Sequence, residues 1–496
     1  MPSEPLQSFY AAYAGLSAAK RRLFETLLAT ERIDPGELCI LPQPRRADDY
    51  PASSAQTRVL FFEALRPGTA VYNIPSIVRL RGTLDLAYLQ RALQLAVDRH
   101  EVFRLSFELR RGHFRQIVHP RADIRLEERS LEAISPEQQA QALQETVFAY
   151  AQQPFDLTRA PLLRAVVIHG AAEQYVLFVM HHAISDGLSI RILVREVGRN
   201  YYCLLHGKPA DLPALPVQYV DYALWEHARK QGDAHRAGLD FWRSQLGEEF
   251  PRLQLPADLP RSQTGLYRGD IQRFVLDEPL VEQLKALARQ EGVTLFVVLL
   301  AAYQVLLGAI GHAQRIPVAV PLSGRYRAEL EELIGFFGNT VICCGRLEPA
   351  MTVSKLIEHV ERVVLDAHTH QDVPFEDVVA AYGRARSAHS AATYDVMFEY
   401  LDFRTRQYDV LGLDGLSWEV PQSLDFDVEV HTQTAKCDLF LCCWEGATGM
   451  SCIFEYRTDV FERNTIERWS QAYTAVLRNM TNCLDRPILE LASALG

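Results

Sequence analysis

The chain has 496 residues, of which 48% are hydrophobic and 23% charged, and its 51 Lys plus Arg against 62 Asp plus Glu give a net charge of −11. This is ordinary globular composition, which excludes a mostly disordered chain, a collagen-like repeat and a coiled-coil rod. The acidic balance also argues against broad binding to a phosphate backbone, which needs basic surface. At about 150 residues per domain, two or three domains are expected. The nine cysteines are odd in number and form no C-x-x-C pair. That suits a reducing compartment, hence the cytoplasm, better than a disulfide framework. The first residues, MPSEPLQSFYAAYAG, lack the basic and apolar regions of a signal peptide.

In chain order, residues 1–48 read as a separate helix and linker. Ser17 is placed to cap AAKRRLFETLLATERI, with Leu23, Phe24, Leu27 and Leu28 on one face, and Asp34-Pro35-Gly36 ends it. Such a helix either packs on its own domain or docks on a neighbouring protein. From Ser53 the pattern is mixed. SAQTRVLFFEAL reads as a helix, YNIPSIVRLRG as a strand, LDLAYLQRALQLAVDRH as an amphipathic helix and FRLSFELRRGHFRQIVH as a hairpin around Arg111-Gly112. YVLFVMHH is a buried strand, and GLSIRILVREVGRNYYCLL the helix after it. A Pro-rich stretch and polar helical residues follow, to about Gly247. The second half alternates similarly, from RFVLDEPLVEQLKALARQEG (strand, then helix) to a hairpin around Gly446 and a last helix, TIERWSQAYTAVLRNM. VTLFVVLLAAYQVLLGAI is long enough to span a membrane, but Tyr303 and Gln304 interrupt it; a buried core helix capped by Thr294 is expected, and no membrane association. The simplest partition is two α/β lobes, 49–247 and 248–496.

One constellation carries chemistry: His181-His182-Ala183-Ile184-Ser185-Asp186-Gly187, set between a strand and a helix. An imidazole at a strand end can project into a cleft and transfers protons at neutral pH. Asp186 is close enough to brace the turn that presents it. Gly187 would let another backbone approach closely, and its N–H at a helix N-terminus would stabilise developing negative charge. Two other readings compete. The histidines are core residues bonded to carbonyls, or His182 and Asp186 hold a metal, although no third ligand lies near at a clear spacing.

HHAISDG resembles the HHxxxDG signature of the condensation domains of nonribosomal peptide synthetases, relatives of chloramphenicol acetyltransferase. Further segments resemble that family in order: SSAQTR (53–58), RHEVFR (99–104), YVDYALW (219–225), IGFFGNT (334–340) and HQDVPFE (370–376). Leu188 stands where Trp is frequent, Gly338 replaces the usual Val, and a late Arg- and Pro-containing motif is reduced to RARSAHSAAT. The resemblance implies an α/β fold of two acetyltransferase-like lobes in a V-shaped pseudo-dimer with a central tunnel. It implies that His182 is the main catalytic residue, taking a proton from or orienting the acceptor amine, with Gly187 N–H helping the oxyanion. His181 and Asp186 are then structural, Arg325 of the Gly324-Arg325 pair is the partner of Asp186, and Ser189 and Asn339 border the tunnel. Substrates would arrive on the phosphopantetheine arms of acyl or peptidyl carrier proteins, with no cofactor or metal bound by the chain itself and no nucleic acid; a monomer is expected.

Four functions follow as expectations. The first is amide formation between carrier-bound substrates. The second is the same catalyst with a hydroxyl acceptor, giving an ester, including chain release onto a soluble acceptor. The third is a non-catalytic member that recruits a partner enzyme to a carrier protein. A lipid ester synthase is the fourth, against which the five supporting segments count. A cyclising subtype is disfavoured, because it has aspartates where His181 and His182 stand; the condensing branch with an L or achiral donor fits better than the epimerising one. Phosphate-loop, dinucleotide and G-x-S-x-G patterns are missing.

Overall fold

The computed structural model describes all residues except 1–9, 11, 14, 32–38, 46–48, 83, 171–172, 211, 262–267, 349, 384–393, 402–410, 414–415, 420–431, 447–448, 483, 485–486 and 489–496. Asp34-Pro35-Gly36 and the RARSAHSAAT segment lie outside the described residues. The chain divides into two compact units. The first comprises residues 1–234, 323–338 and 408–432, and the second 235–322, 339–407 and 433–496.

In the first unit the chain forms α1 (Ala18–Thr30), β1 (Tyr50–Pro51), α2 (Ser54–Leu65), β2 (Asn73–Arg81), α3 (Leu86–Arg99), β3 (Leu105–Arg110), β4 (His113–Val118), β5 (Leu126–Ser130), α4 (Pro136–Ala151), β6 (Leu163–His169), β7 (Gln174–His181), α5 (Ser189–Leu205) and α6 (Tyr219–Arg229). α2 begins with a capping box: the Ser53 hydroxyl accepts the Gln56 N–H and the Gln56 side chain accepts the Ser53 N–H. β3 and β4 turn through Arg111 (φ 51°) and Gly112 (φ 82°), the left-handed pair a tight hairpin requires. β7 is apolar on both faces and pairs antiparallel with β2 and β6, so it runs through the middle of the sheet. Ser17 accepts the Lys20 N–H at 3.4 Å at the start of α1. The expected apolar face of α1 divides: Phe24 packs on the unit's core and edge-on to Tyr13, whereas Leu23 and Leu27 are exposed.

In the second unit come α7 (Asp233–Leu246), which starts two residues before it, β8 (Gly269–Asp277), α8 (Glu278–Glu291), α9 (Leu295–Gly311), β9 (Arg315–Leu322), β10 (Asn339–Arg346), α10 (Val353–Thr369), α11 (Phe375–Ala380) and β11 (Val396–Leu401). β12 (Leu411–Leu413) and β13 (Leu416–Glu419) belong to the first unit, and β14 (Leu439–Gly446), β15 (Gly449–Arg457) and α12 (Arg463–Asn482) close the second. Each unit holds a six-stranded sheet: β12-β13-β2-β7-β6-β5 in the first and β10-β9-β11-β14-β15-β8 in the second. The apolar segment is α9, buried from Val297 to Gly308, and within it the Gln304 amide nitrogen donates to the Cys343 carbonyl at 3.1 Å. Thr294 occupies the N-cap position of α9, but its side chain makes no capping bond, contrary to the expectation. No single helix among the described residues is long and apolar enough to cross a membrane.

Candidate active site

The site is built on the turn after β7. His181 ends that strand and is 1% exposed. Its Nδ1 accepts the Ala183 N–H at 3.2 Å, so Nε2 carries the proton and donates to Glu63 Oε1 of α2 at 3.3 Å. Both ring nitrogens therefore hold the turn. His182 is only half-buried. Its N–H donates to the Tyr72 carbonyl at 2.7 Å, and its Nδ1–H donates to the Ser185 carbonyl at 2.8 Å. A carbonyl only accepts, so Nδ1 must be protonated and in the neutral ring the lone pair sits on Nε2. Phe336 lies against the imidazole at 4.1 Å between ring centroids, and Tyr72 meets it edge-on at 6.1 Å.

Asp186 faces inward. Its Oδ1 accepts from the Leu188 and Ser189 N–H groups (3.1 and 2.9 Å), from the Ser189 hydroxyl (2.8 Å) and from Arg325 Nη2 (3.0 Å), while Oδ2 accepts from Arg325 Nε (3.2 Å). Arg325 is 3% exposed at its side chain, gives Nη1 to the Leu330 and Leu333 carbonyls (2.5 and 2.6 Å) and lies over the Phe337 ring. Its placement depends on Gly324, which has φ 65° and whose imagined Cβ would fall 1.9 Å from the Phe337 carbonyl oxygen. The structure thus brings together His181, His182, Asp186, Arg325 and Ser189. Ser189, expected along a substrate channel, is fully buried, and its hydroxyl is engaged with Asp186 and with the Gly335 carbonyl at 3.0 Å.

Gly187 follows Asp186. Among the described residues its N–H has no hydrogen-bond partner, and nothing lies within 4 Å of its imagined Cβ. The close backbone approach expected of it is not present; its neighbourhood is open instead. Asn339 sits in the second unit at the start of β10. Its amide donates to the Gln371 and Val373 carbonyls (both 2.8 Å) and accepts the Thr340 and Phe375 N–H groups (2.8 and 3.0 Å), so it holds the HQDVPFE segment in place.

Sequence reasoning did not foresee which residues brace the turn. Gln56 donates to the Ala183 carbonyl at 3.0 Å. Tyr219 bonds the Ser53 hydroxyl at 2.8 Å and donates to the Phe336 carbonyl at 2.6 Å. His100 joins α3 to α5, its Nε2 to Glu196 at 2.9 Å and its Nδ1 accepting the Ile334 N–H at 3.5 Å. Complete burial pushes the His100 imidazole below the ordinary histidine value, outweighing the attraction of Glu196. The signal was available: each brace comes from one of the segments that accompany HHAISDG.

Residues 46–494 match the sequence profile of the Condensation domain family. The chain belongs to the condensation-domain family. This condensation domain is 37% identical over 429 residues to one of the linear gramicidin synthase subunits of Brevibacillus parabrevis, covering 86% of this chain and 8% of that protein. It is 35% identical over 434 residues to one of the plipastatin synthase subunits of Bacillus subtilis (strain 168), covering 87% of this chain and 11% of that protein. The domain therefore spans about a tenth of the length of these relatives. Among solved structures it resembles the X-domain from teicoplanin biosynthesis (TM-score 0.80, 23% identity, 90% of this chain and 98% of that one). It also resembles the first condensation domain of the calcium-dependent antibiotic synthetase in complex with a substrate analogue (TM-score 0.73, 18% identity, 90% and 99%). The fold class is that expected: an α/β, chloramphenicol-acetyltransferase-like condensation domain of the nonribosomal peptide synthetase kind.

Proposed function

We propose that this condensation domain is an acyltransferase that moves an acyl group from a phosphopantetheine thioester on a carrier protein to an acceptor amine. The observation that carries the proposal is the 2.8 Å contact of His182 Nδ1 with the Ser185 carbonyl, which requires Nδ1–H and so puts the neutral ring's lone pair on Nε2, the atom that acts as the base. The amine nitrogen attacks the thioester carbon, the C–N bond forms and the C–S bond breaks. The amine proton passes to Nε2 and from there to the departing thiolate. Gly187 N–H is the donor for the tetrahedral oxyanion. A thioester is already activated, and tethering supplies much of the proximity term, so one positioned base suffices without a cofactor of the chain's own.

The likeness to the teicoplanin X-domain supports a second reading, recruitment of a partner enzyme without turnover. One experiment separates the two. The protein is mixed with an acyl-loaded carrier protein and a panel of amines and alcohols, and products are followed by mass spectrometry beside His182→Ala. Amide that falls about 10²- to 10⁴-fold in the variant supports the proposal. Ester moves the acceptor to a hydroxyl, and carrier binding with no product in either protein favours recruitment.

A further inference from the structure

Residues 39–45 precede the stretch that matches the family, which begins at residue 46. They are nevertheless tied into the first unit: Cys39, Ile40 and Leu41 are buried, and Gln43 and Arg45 reach it through hydrogen bonds. Ile40 is fully buried; its carbonyl accepts the Tyr10 hydroxyl at 2.7 Å and its N–H donates to Glu329 Oε1 at 2.8 Å. Three residues on, the Gln43 N–H and Arg45 Nη1 both donate to Asp221 Oδ1 (2.8 and 2.7 Å), and Arg45 adds two bonds to Glu101 Oε2 (2.9 and 2.8 Å). Asp221 is 2% exposed at its side chain, so an opposite charge must accompany it, and Arg45 supplies one.

Both anchors lead to the imidazole. Glu329 stands beside Leu330, whose carbonyl holds Arg325, and Arg325 holds Asp186 next to the turn of His182. Asp221 accepts the Gln218 N–H at the start of α6, and the next residue of that helix, Tyr219, fixes the carbonyl of Phe336, whose ring lies against His182. We infer that residues 39–45 form a strap whose Ile40 N–H and Arg45 guanidinium are positioning groups, setting His182 from both sides through Glu329–Arg325–Asp186 and Asp221–Tyr219–Phe336. The kinetic part of this inference rests on the acyl-transfer reading; the geometric part does not.

The test uses the full chain with Arg45→Ala, Glu329→Ala and Glu329→Gln. Gln keeps an oxygen for the Ile40 N–H, so it is the conservative rescue. Two quantities are read: the ¹⁵N shift and line width of the His182 imidazole, assigned by its loss in His182→Gln, and the single-turnover acyl-transfer rate with KM. The expected result is a displaced or broadened His182 signal in both alanine variants, with a rate lowered about 2- to 30-fold at unchanged KM, and near-wild-type behaviour in Glu329→Gln. A packing role alone would lower the melting temperature and leave the rate per folded molecule and the His182 signal as they were, which overturns the inference. Should Glu329→Ala not fold, Arg45→Ala, at a partly exposed position, decides by the same readouts. Should the wild type transfer no acyl group, the acyl-transfer reading fails while the His182 signal still decides whether the strap acts.

Discussion

His181 and His182 are adjacent and chemically identical, and their surroundings give them opposite parts. His181 spends both nitrogens inside the protein, one on the Ala183 N–H and one on Glu63, whereas His182 spends Nδ1 on its own turn and stays half-exposed. The sequence displayed this pair, because an apolar strand that runs up to His181 and a helix that begins after Asp-Gly set the histidines at the strand end and the start of the turn. It placed Gln56, Tyr219 and Phe336 in accompanying segments but did not display their contacts, which span 127, 166 and about 150 positions of chain and are set by tertiary packing. At this scale the most exacting contact is Arg325 with Asp186. Arg325→Ala would leave the Asp186 carboxylate buried without its counter-charge, though still bonded to Ser189. Losing one partner of a buried pair costs about 3–5 kcal/mol. Urea unfolding of the variant is expected to show an unfolding free energy lowered by that amount. A loss below about 1 kcal/mol would place the Asp186 charge in effective contact with water, and the pairing would then not explain the buried aspartate.

Among the elements, those with strong periodicity were legible: β2, β7, α3, α5, the β3–β4 and β14–β15 hairpins and the apolar α9 all lie where alternation or helical spacing put them. β5 (LEERS) carries no apolar alternation; it is an exposed edge strand, held by parallel backbone pairing with β6. β12 and β13 are equally silent, since their place depends on β13 pairing with β2, more than 300 residues earlier. The α3–α5 contact carries a pH dependence. His100, the C-cap of α3, is buried neutral, with Glu196, the Ile334 N–H, the Phe103 ring and the positive charges of Arg99 and Arg325 around it. Its folded pKa lies below the unfolded value of about 6.5, so below that pH the unfolded chain takes up a proton the folded one refuses. Stability therefore falls as pH drops from about 6.5 toward the lower folded value, by at most about 1.4 kcal/mol per pH unit for one proton. His100→Gln can keep both hydrogen bonds and does not titrate. Urea midpoints at pH 7.5 and 5.5 are expected to fall further in the wild type than in this variant; equal falls would mean that the buried imidazole is protonated in both states.

The whole molecule is less contiguous than its chain. Residues 323–338 and 408–432 follow β9 and β11 in sequence but fold with residues 1–234. A boundary near Gly247 is where linear pattern changes, because helix and strand periodicity carry no information on which sheet a later segment joins. Segment 323–338 brings Arg325 to Asp186 and adds Leu330, Leu333, Ile334, Phe336 and Phe337, all buried, to the core of the first unit. A fragment of residues 1–234 lacks those five side chains, each worth about 1.5–3 kcal/mol when buried. Their combined loss is comparable with the whole stability of a domain, about 5–15 kcal/mol. The fragment also leaves Asp186 without Arg325 and β2 without β13. It is therefore expected to give a broad, non-cooperative urea transition and weak near-ultraviolet circular dichroism, where the full chain gives a cooperative one. A sharp transition from the fragment would show that residues 1–234 hold their core unaided, and segment 323–338 would then be an addition to the site rather than part of the fold that builds it.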